Sequence, residues 1–457
     1  MPEPERGASF FVLRIPWHCR FHIIRIGMPI DPEKGFTSSV ISDPHRFIGR
    51  AGELRDCAKA LNSSLSLLSV YGKRGVGKSS LLRQVQQMAL GDYRLLREAG
   101  LQHEFSAKTR TYLTVYYTCD STITNVEHLL QKLCNDQDGK DGLLRLLPDD
   151  GKELVETVRT AEAEGGLDLQ LVKWGVKGAS ASKYARVVEN DIVQTFRNFC
   201  SSIIQHQVKN RMKRDGLLIL LDEFDVIQDK SHFGSLVKSL TTPELHFGIC
   251  GIARDMQELV TDHGSVERLL EEGAIRVREM SEAEITKIFD RAHELYNGEV
   301  TFVRQTVQNI YKFSQGYPYL AQLIGKECLH ECNRRSSKVV DEEILESVKN
   351  DIASGRAFPT LESQYQRAIG ESEDRKILLH FLAEQEGTDI NDEQHGRVLL
   401  RKLRADASDL GIAFVDQLIP RLVDRNFGPV LYRHTEKPGV YEFENPIFRL
   451  YVKLRHY

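Results

Sequence analysis

Leu65-Ser66-Leu67-Leu68-Ser69-Val70-Tyr71-Gly72-Lys73-Arg74-Gly75-Val76-Gly77-Lys78-Ser79-Ser80-Leu81-Leu82 is the stretch that decides how this chain folds. Residues 65–70 form a short apolar run, which suits a buried strand. The run leads straight into a glycine loop, Gly72-x-x-x-x-Gly77-Lys78-Ser79, that opens a helix. Glycines there let backbone N–H groups of Gly75, Val76, Gly77 and the Ser79-Ser80 turn wrap phosphate oxygens without Cβ clashes. The helix starting near Lys78 adds the positive end of its dipole. Lys78 is suited to neutralise β- and γ-phosphate oxygens, and the Ser79 hydroxyl to ligate Mg2+. A chance match in a glycine-rich turn would lack the strand before it and the helix after it.

Four further runs extend the pattern. Residues 111–118 are rich in β-branched and aromatic side chains, and residues 217–221 are continuously apolar and end in Asp222-Glu223. Residues 245–253 form another strand, followed by Arg254-Asp255, and residues 274–277 a short fifth. Continuous apolar strands alternating with helical stretches predict an α/β fold, a parallel sheet with helices on both faces. The phosphate loop makes it a sheet of the P-loop NTPase kind.

The acidic pair has a role in such a sheet. Asp222 ends a strand, where its carboxylate can hold magnesium through water. Glu223 follows directly and can orient and activate the attacking water. Capping of the next helix is the structural alternative for the pair, and it is the weaker one beside an intact phosphate loop. Asp225 can either cap that helix or approach the metal. Transition-state charge calls for a further cation, for which arginine is suited because it stays charged and donates in pairs. Arg254 follows the strand expected beside Asp222 and is a candidate to sense the γ-phosphate in cis. Arg268 is a second candidate, reaching a neighbouring subunit. The alternative for each is an ordinary surface ion pair.

The 457 residues exceed what one core usually organises and predict two or three domains. Residues 1–40 read as an N-terminal extension. Met28-Pro29-Ile30-Asp31-Pro32 resembles a natural start, so residues 1–27 are expected to be disordered or to stem from a start set too early. Residues 10–28 are apolar but broken by Arg14, His18, Arg20, His22 and Arg25, which excludes a membrane span and speaks against a signal peptide. Residues 41–280 form the ATPase domain, with an insertion over about 120–210 containing a hairpin near 167–183 and a helix over 187–210. Residues 281–355 read as a helical lid opened by the cap Ser281-Glu282-Ala283-Glu284. In residues 356–457, helices near 374–386, 395–404 and 414–425 precede two strands, 430–434 and 440–444, the pattern of a winged helix.

Composition is that of an ordinary globular protein: 41% hydrophobic, 28% charged, formal net charge -4. That charge offers nucleic acid or anionic lipid no global attraction. The eight cysteines show neither zinc-site spacing nor a disulfide framework, which fits a reducing, cytoplasmic setting. Cys328 and Cys332 stand one helical turn apart and read as a buried helix face. Trp174 reads as an anchor of the insertion, Tyr112, Tyr116 and Tyr117 as packed strand residues, and Tyr311, Phe313, Tyr317 and Tyr319 as lid core.

The order of these pieces resembles one branch of P-loop ATPases. Phe47-Ile48-Gly49-Arg50 with Glu53-Leu54 is similar to the opening motif of origin-recognition-type AAA+ proteins and the related STAND signalling ATPases. The resemblance implies that Phe47, Ile48 and Arg50 lie beside the adenine. Ser314-Gln315-Gly316-Tyr317-Pro318-Tyr319-Leu320 resembles their G-x-P lid motif, implying that Pro318 closes on the base. Glu442-Phe443-Glu444-Asn445-Pro446-Ile447-Phe448-Arg449 resembles the end of the winged helix of prokaryotic members.

Two functions are implied, both run by ATP and Mg2+ with ADP as product. One is a regulated switch that oligomerises with its own kind or engages a separate effector protein, suited to prokaryotic defence or signalling. The other is an initiator- or transposition-helper-like ATPase with its winged helix on duplex DNA. The basic footprint for DNA is modest: from Arg421 on, seven basic residues (Arg421, Arg425, Arg433, Lys437, Arg449, Lys453, Arg455) face Asp424, Glu436, Glu442 and Glu444.

Overall fold

The computed structural model describes residues 29–63, 67–103, 109–135, 142–147, 170–173, 185–188, 192–254, 256–260, 264, 267–385, 397–407, 409–412, 414–433 and 439–455. Trp174 and the turn of the expected hairpin lie outside them.

Five strands form the central sheet: β1 (Leu67–Gly72), β2 (Tyr112–Thr118), β3 (Gly216–Asp222), β4 (Leu245–Ile252) and β5 (Ala274–Arg276). Their order is β2-β3-β4-β1-β5, and every pairing is parallel. All seven residues of β3 are buried, as expected for a strand covered on both faces. The two-residue period of its side chains divides the core. Leu218 and Leu220 join the cluster shared with α1 (Ala51–Asn62) and α2 (Lys78–Ala89). Leu217, Ile219 and Leu221 join the opposite cluster, with helices Val126–Asn135, Ile192–Ile203 and Phe233–Leu240. Because β4 intervenes between β1 and β3, the phosphate loop and Asp222 face each other across one strand end. That is where parallel sheets form their ligand crevice.

The insertion holds an antiparallel strand pair, Gln170–Lys173 with Ala185–Val188. The helix expected over 187–210 therefore begins only at Ile192, and it continues as a π-helical run over Ile204–Met212. The β-branched pair Val187-Val188 favours strand over helix.

The lid comprises α3 (Glu282–Leu295), α4 (Arg304–Ser314), α5 (Pro318–Arg335) and α6 (Glu342–Ala353). Ser281 and Glu284 form the expected capping box on α3, and Cys328 and Cys332 are buried along α5. Residues 29–40, assigned above to an extension, dock on this lid. Phe36 is fully buried against Phe289 and Phe302, and Asn333 exchanges hydrogen bonds with both the N–H and C=O of Ile30. Residues 1–28 lie outside the described residues.

Beyond the lid come α7 (Pro359–Ile369), α8 (Glu373–Glu384), β6 (Arg397–Leu399), α9 (Leu400–Ala407), α10 (Val415–Val423), β7 (Leu431–Arg433), β8 (Val440–Phe443) and α11 (Pro446–Arg455). The strands form an antiparallel sheet in the order β6-β8-β7. Two features depart from expectation. The helix placed over 395–404 is a strand, β6, before it is a helix. Helix α11 is not among the sequence expectations; Ile447, Phe448, Leu450, Tyr451, Val452 and Leu454 are all buried along it. Asn445 caps it by accepting from the Ile447 N–H. Among the described residues no helix is long and apolar enough to cross a membrane.

Candidate functional site

A cavity of about 490 Å³ opens where β1, β3 and β4 end. Residues 75–80 of the phosphate loop form its floor, and Asp222, Glu223 and Asp225 line one side. Val40, Ile41, Phe47, Ile48, Ile288 and Pro318 give the other end an apolar wall. A flat base suits that wall, and a polyphosphate suits the loop.

The loop's glycines are needed where the backbone is crowded. A Cβ on Gly72 would stand 2.3 Å from the Val277 carbonyl oxygen, so Gly72 serves the exit from β1 and does not line the cavity. Gly75 has φ +82, and a Cβ there would meet Ile447 of α11 at 2.8 Å. The C-terminal helix thus packs directly on the phosphate loop. Glu444, just before α11, also lines the cavity.

Lys78 is buried and donates to the Lys73 carbonyl across the loop at 2.8 Å. Burial lowers its pKa, and the nearby charges of Asp225 and Asp222 oppose that fall. Ser79 Oγ donates to Asp222 Oδ1 at 3.1 Å, as does the Glu223 N–H at 3.0 Å. The other oxygen, Oδ2, accepts from the Tyr116 hydroxyl at 2.6 Å. A carboxylate and a serine hydroxyl side by side are hard oxygen donors, the set that suits Mg2+. Glu223 is exposed and takes a left-handed backbone, φ 53, uncommon for a residue other than glycine and typical of functional turns. Partial burial, then Asp222 and Asp225, push its pKa up, while Arg74 and Lys78 draw it down.

Other expected residues take roles the sequence did not specify. Arg50 lines the cavity, but its guanidinium turns to the loop. It donates to the Val76 carbonyl at 2.7 Å and pairs with Glu53 at 2.9 Å. Its own N–H is held by Glu284 of α3 at 2.9 Å, so one buried arginine joins the phosphate loop to the lid. Ser80 Oγ accepts from the Ile41 N–H at 3.0 Å, fixing the apolar wall. Asp225 accepts from the Ile252 N–H at 2.8 Å and so secures the end of β4.

Neither candidate arginine lines the cavity. Arg254 is turned to the C-terminal sheet, with Nε 3.5 Å from Glu442 and its guanidinium 3.7 Å from the centre of the Tyr432 ring. Arg268 is exposed on a short helix, Glu267–Leu270.

Two residues in this site were passed over. Tyr116 was read as packing, although β2 pairs Thr118 with Asp222 and the two-residue period puts Tyr116 on the same face. Its ring also carries the Arg83 guanidinium at 3.3 Å. Arg74 lines the cavity from within the quoted loop.

Residues 46–245 match the family described as the AAA ATPase domain. No curated protein matches the chain. Among solved structures, the chain is similar to the Walker-type ATPase of Pyrococcus abyssi, with 12% identity, coverage of 89% of this chain and 96% of that one, and a TM-score of 0.43. It is similar to Cdc6p from Pyrobaculum aerophilum at 12% identity, 93% and 98% coverage, and a TM-score of 0.41. Its similarity to the Aeropyrum pernix ORC1 protein in complex with DNA is 14% identity, 91% and 93% coverage, with a TM-score of 0.39. The AAA ATPase domain match over residues 46–245 spans the phosphate loop, Asp222 and Glu223, and that part of the chain is an ATP-hydrolysing P-loop domain.

Proposed function

We propose that this ATPase is a nucleotide-operated switch of the AAA+/STAND type, in which the C-terminal unit responds to what the phosphate loop holds. The observation that carries this reading is the seating of that unit on the nucleotide cavity, with Ile447 against Gly75 and Glu444 in the cavity wall. A triphosphate brings several negative charges to a wall that already contains a carboxylate. Like charges in a partly dry cavity repel strongly, so ATP and the seated Glu444 favour different arrangements. A ligand moves such an equilibrium only through unequal contacts with its two states, and Glu444 with Ile447 supplies that inequality.

The helix–strand–helix–helix–strand–strand order of the C-terminal unit is read as a winged helix, used here for contact within the protein. Backbone N–H groups of the loop and Lys78 bind the phosphates, and Ser79 and Asp222 would hold magnesium. That ion would neutralise phosphate charge during the transfer. Glu223 orients the attacking water and accepts its proton. Hydrolysis to ADP then resets the switch. Release of the C-terminal unit would expose a surface for a second copy of this chain or for a separate effector protein.

Hydrogen exchange over residues 440–455 tests the proposal, using Glu223→Gln protein saturated with ATP or with ADP. Protection should fall with ATP and persist with ADP. Equal protection in both would overturn the switch, and turnover strongly stimulated by duplex DNA would favour the DNA-processing alternative.

A further inference from the structure

Transfer of a phosphoryl group to water spreads negative charge over the γ-oxygens, and a cation beyond the loop lysine stabilises it. Neither arginine expected in that role lines this chain's own cavity, and Arg268 was expected to act on a neighbouring subunit. Arg254 is committed to Glu442 and Tyr432, and Arg268 lies outside the cavity wall. A third arginine sits inside the phosphate loop itself.

Arg74 lies between Gly72 and Gly75, and its exposed side chain lines the cavity together with Lys78, Glu223 and Asp225. It makes no hydrogen bond or ion pair with any described residue. A guanidinium in the cavity wall that also holds the Glu223 carboxylate, unpaired among the described residues, is available to the phosphate. The loop backbone carries it, so the chain needs no second subunit to supply it.

We propose that Arg74 is a catalytic residue whose guanidinium contacts the γ-phosphoryl oxygens during hydrolysis. In that step the water oxygen bonds to the γ-phosphorus, and the bond from the γ-phosphorus to the β,γ-bridging oxygen breaks. The electron pair leaves with ADP, the water proton passes to Glu223, and inorganic phosphate is released. Arg74 forms no covalent bond. Its planar fork of donors meets oxygens that gain charge as the bridging bond lengthens. It therefore acts on the transition state more than on bound ATP.

The test compares full-length wild type with Arg74→Ala, Arg74→Lys and Arg268→Ala. Turnover, binding of mant-ATP, and trapping of ADP with fluoroaluminate are measured on each. In Arg74→Ala, kcat should fall about 10²- to 10³-fold while mant-ATP affinity stays within about threefold. Fluoroaluminate trapping should be lost, and lysine should not restore it. Arg268→Ala should behave as wild type, and kcat per site should not depend on protein concentration. Turnover of Arg74→Ala within about threefold of wild type would overturn the assignment. So would retained trapping, or a loss of affinity large enough to account for the whole loss of rate.

Discussion

The Tyr116 hydroxyl on β2 donates to Oδ2 of Asp222 on β3 over 2.6 Å, leaving the other carboxylate oxygen to Ser79 and the Glu223 N–H. Burial, followed by the Asp222 charge, pushes the Tyr116 pKa far up, so the tyrosine remains a donor throughout the working pH range. Its contact fixes which way Asp222 faces. In Tyr116→Phe, turnover should fall by about 10- to 100-fold, the usual effect of losing a group that orients a metal-binding side chain. The Mg2+ concentration needed for half-maximal turnover should rise, while nucleotide binding without Mg2+ stays as in wild type. An unchanged Mg2+ titration would show that Asp222 holds its orientation alone.

Glu223 bears on pH dependence. Burial, then Asp222 and Asp225, raise its pKa above that of an ordinary glutamate. A base acts in its ionised form, so turnover should rise with pH as Glu223 loses its proton. The acidic limb of a kcat profile should therefore lie above the ordinary glutamate value of about 4.3. Glu223→Gln should retain ATP binding and lose turnover by orders of magnitude. A limb at or below the ordinary value, or near-normal hydrolysis by the variant, would remove Glu223 from the role of base.

Glu362 on α7 anchors α11, accepting from Arg455 at 2.9 and 3.1 Å and from the Tyr451 hydroxyl. Burial alone would raise its pKa, but bonds from Arg455, Gln366 and Tyr451 outweigh that and hold it at about 2. The unfolded chain titrates nearer to about 4.3, so the folded state binds fewer protons between these values. The anchor's stabilisation is complete above the unfolded value and is lost as pH falls towards about 2. Glu362→Gln should lower stability at neutral pH by about 2 kcal/mol, the scale of hydrogen bonds to a charged group. Thermal denaturation should show wild type and variant converging below about pH 4. A gap that stays constant into acid would mean that the glutamate's charge contributes nothing.

The phosphate loop, Asp222, Glu223 and the apolar strands could be read from sequence because each is a short contiguous pattern with one physical meaning. What could not be read depends on contacts between distant segments. Arg254 was assigned by its place after β4, yet Tyr432 and Glu442 decide where its side chain goes. Arg50 is expected beside the base and lines that cavity, but its contacts with Val76 and Glu284, which make it a brace between loop and lid, carry no sequence signal. Helix α11 is buried along most of its length, Arg449 included, because segments distant in sequence surround it. Arg74 was in plain view within the motif, but a motif position reserved for any residue gives no reason to single one out.

The strip that follows Phe36 is pinned at both ends. Thr37 is tied to the lid, its N–H donating to Gln322 Oε1 at 2.8 Å, while Ile41 is tied to α2 through Ser80 and Gln84. Only residues 38–40 span the gap, and all three line the nucleotide cavity. A rotation of the lid against the core would be felt in those three residues, as in the Arg50–Glu284 contact. The apolar wall therefore deforms whenever the lid swings, so a bound base loses its seat by peeling, not by passing an opened door. Exchange of nucleotide and motion of the lid would then run on a single clock.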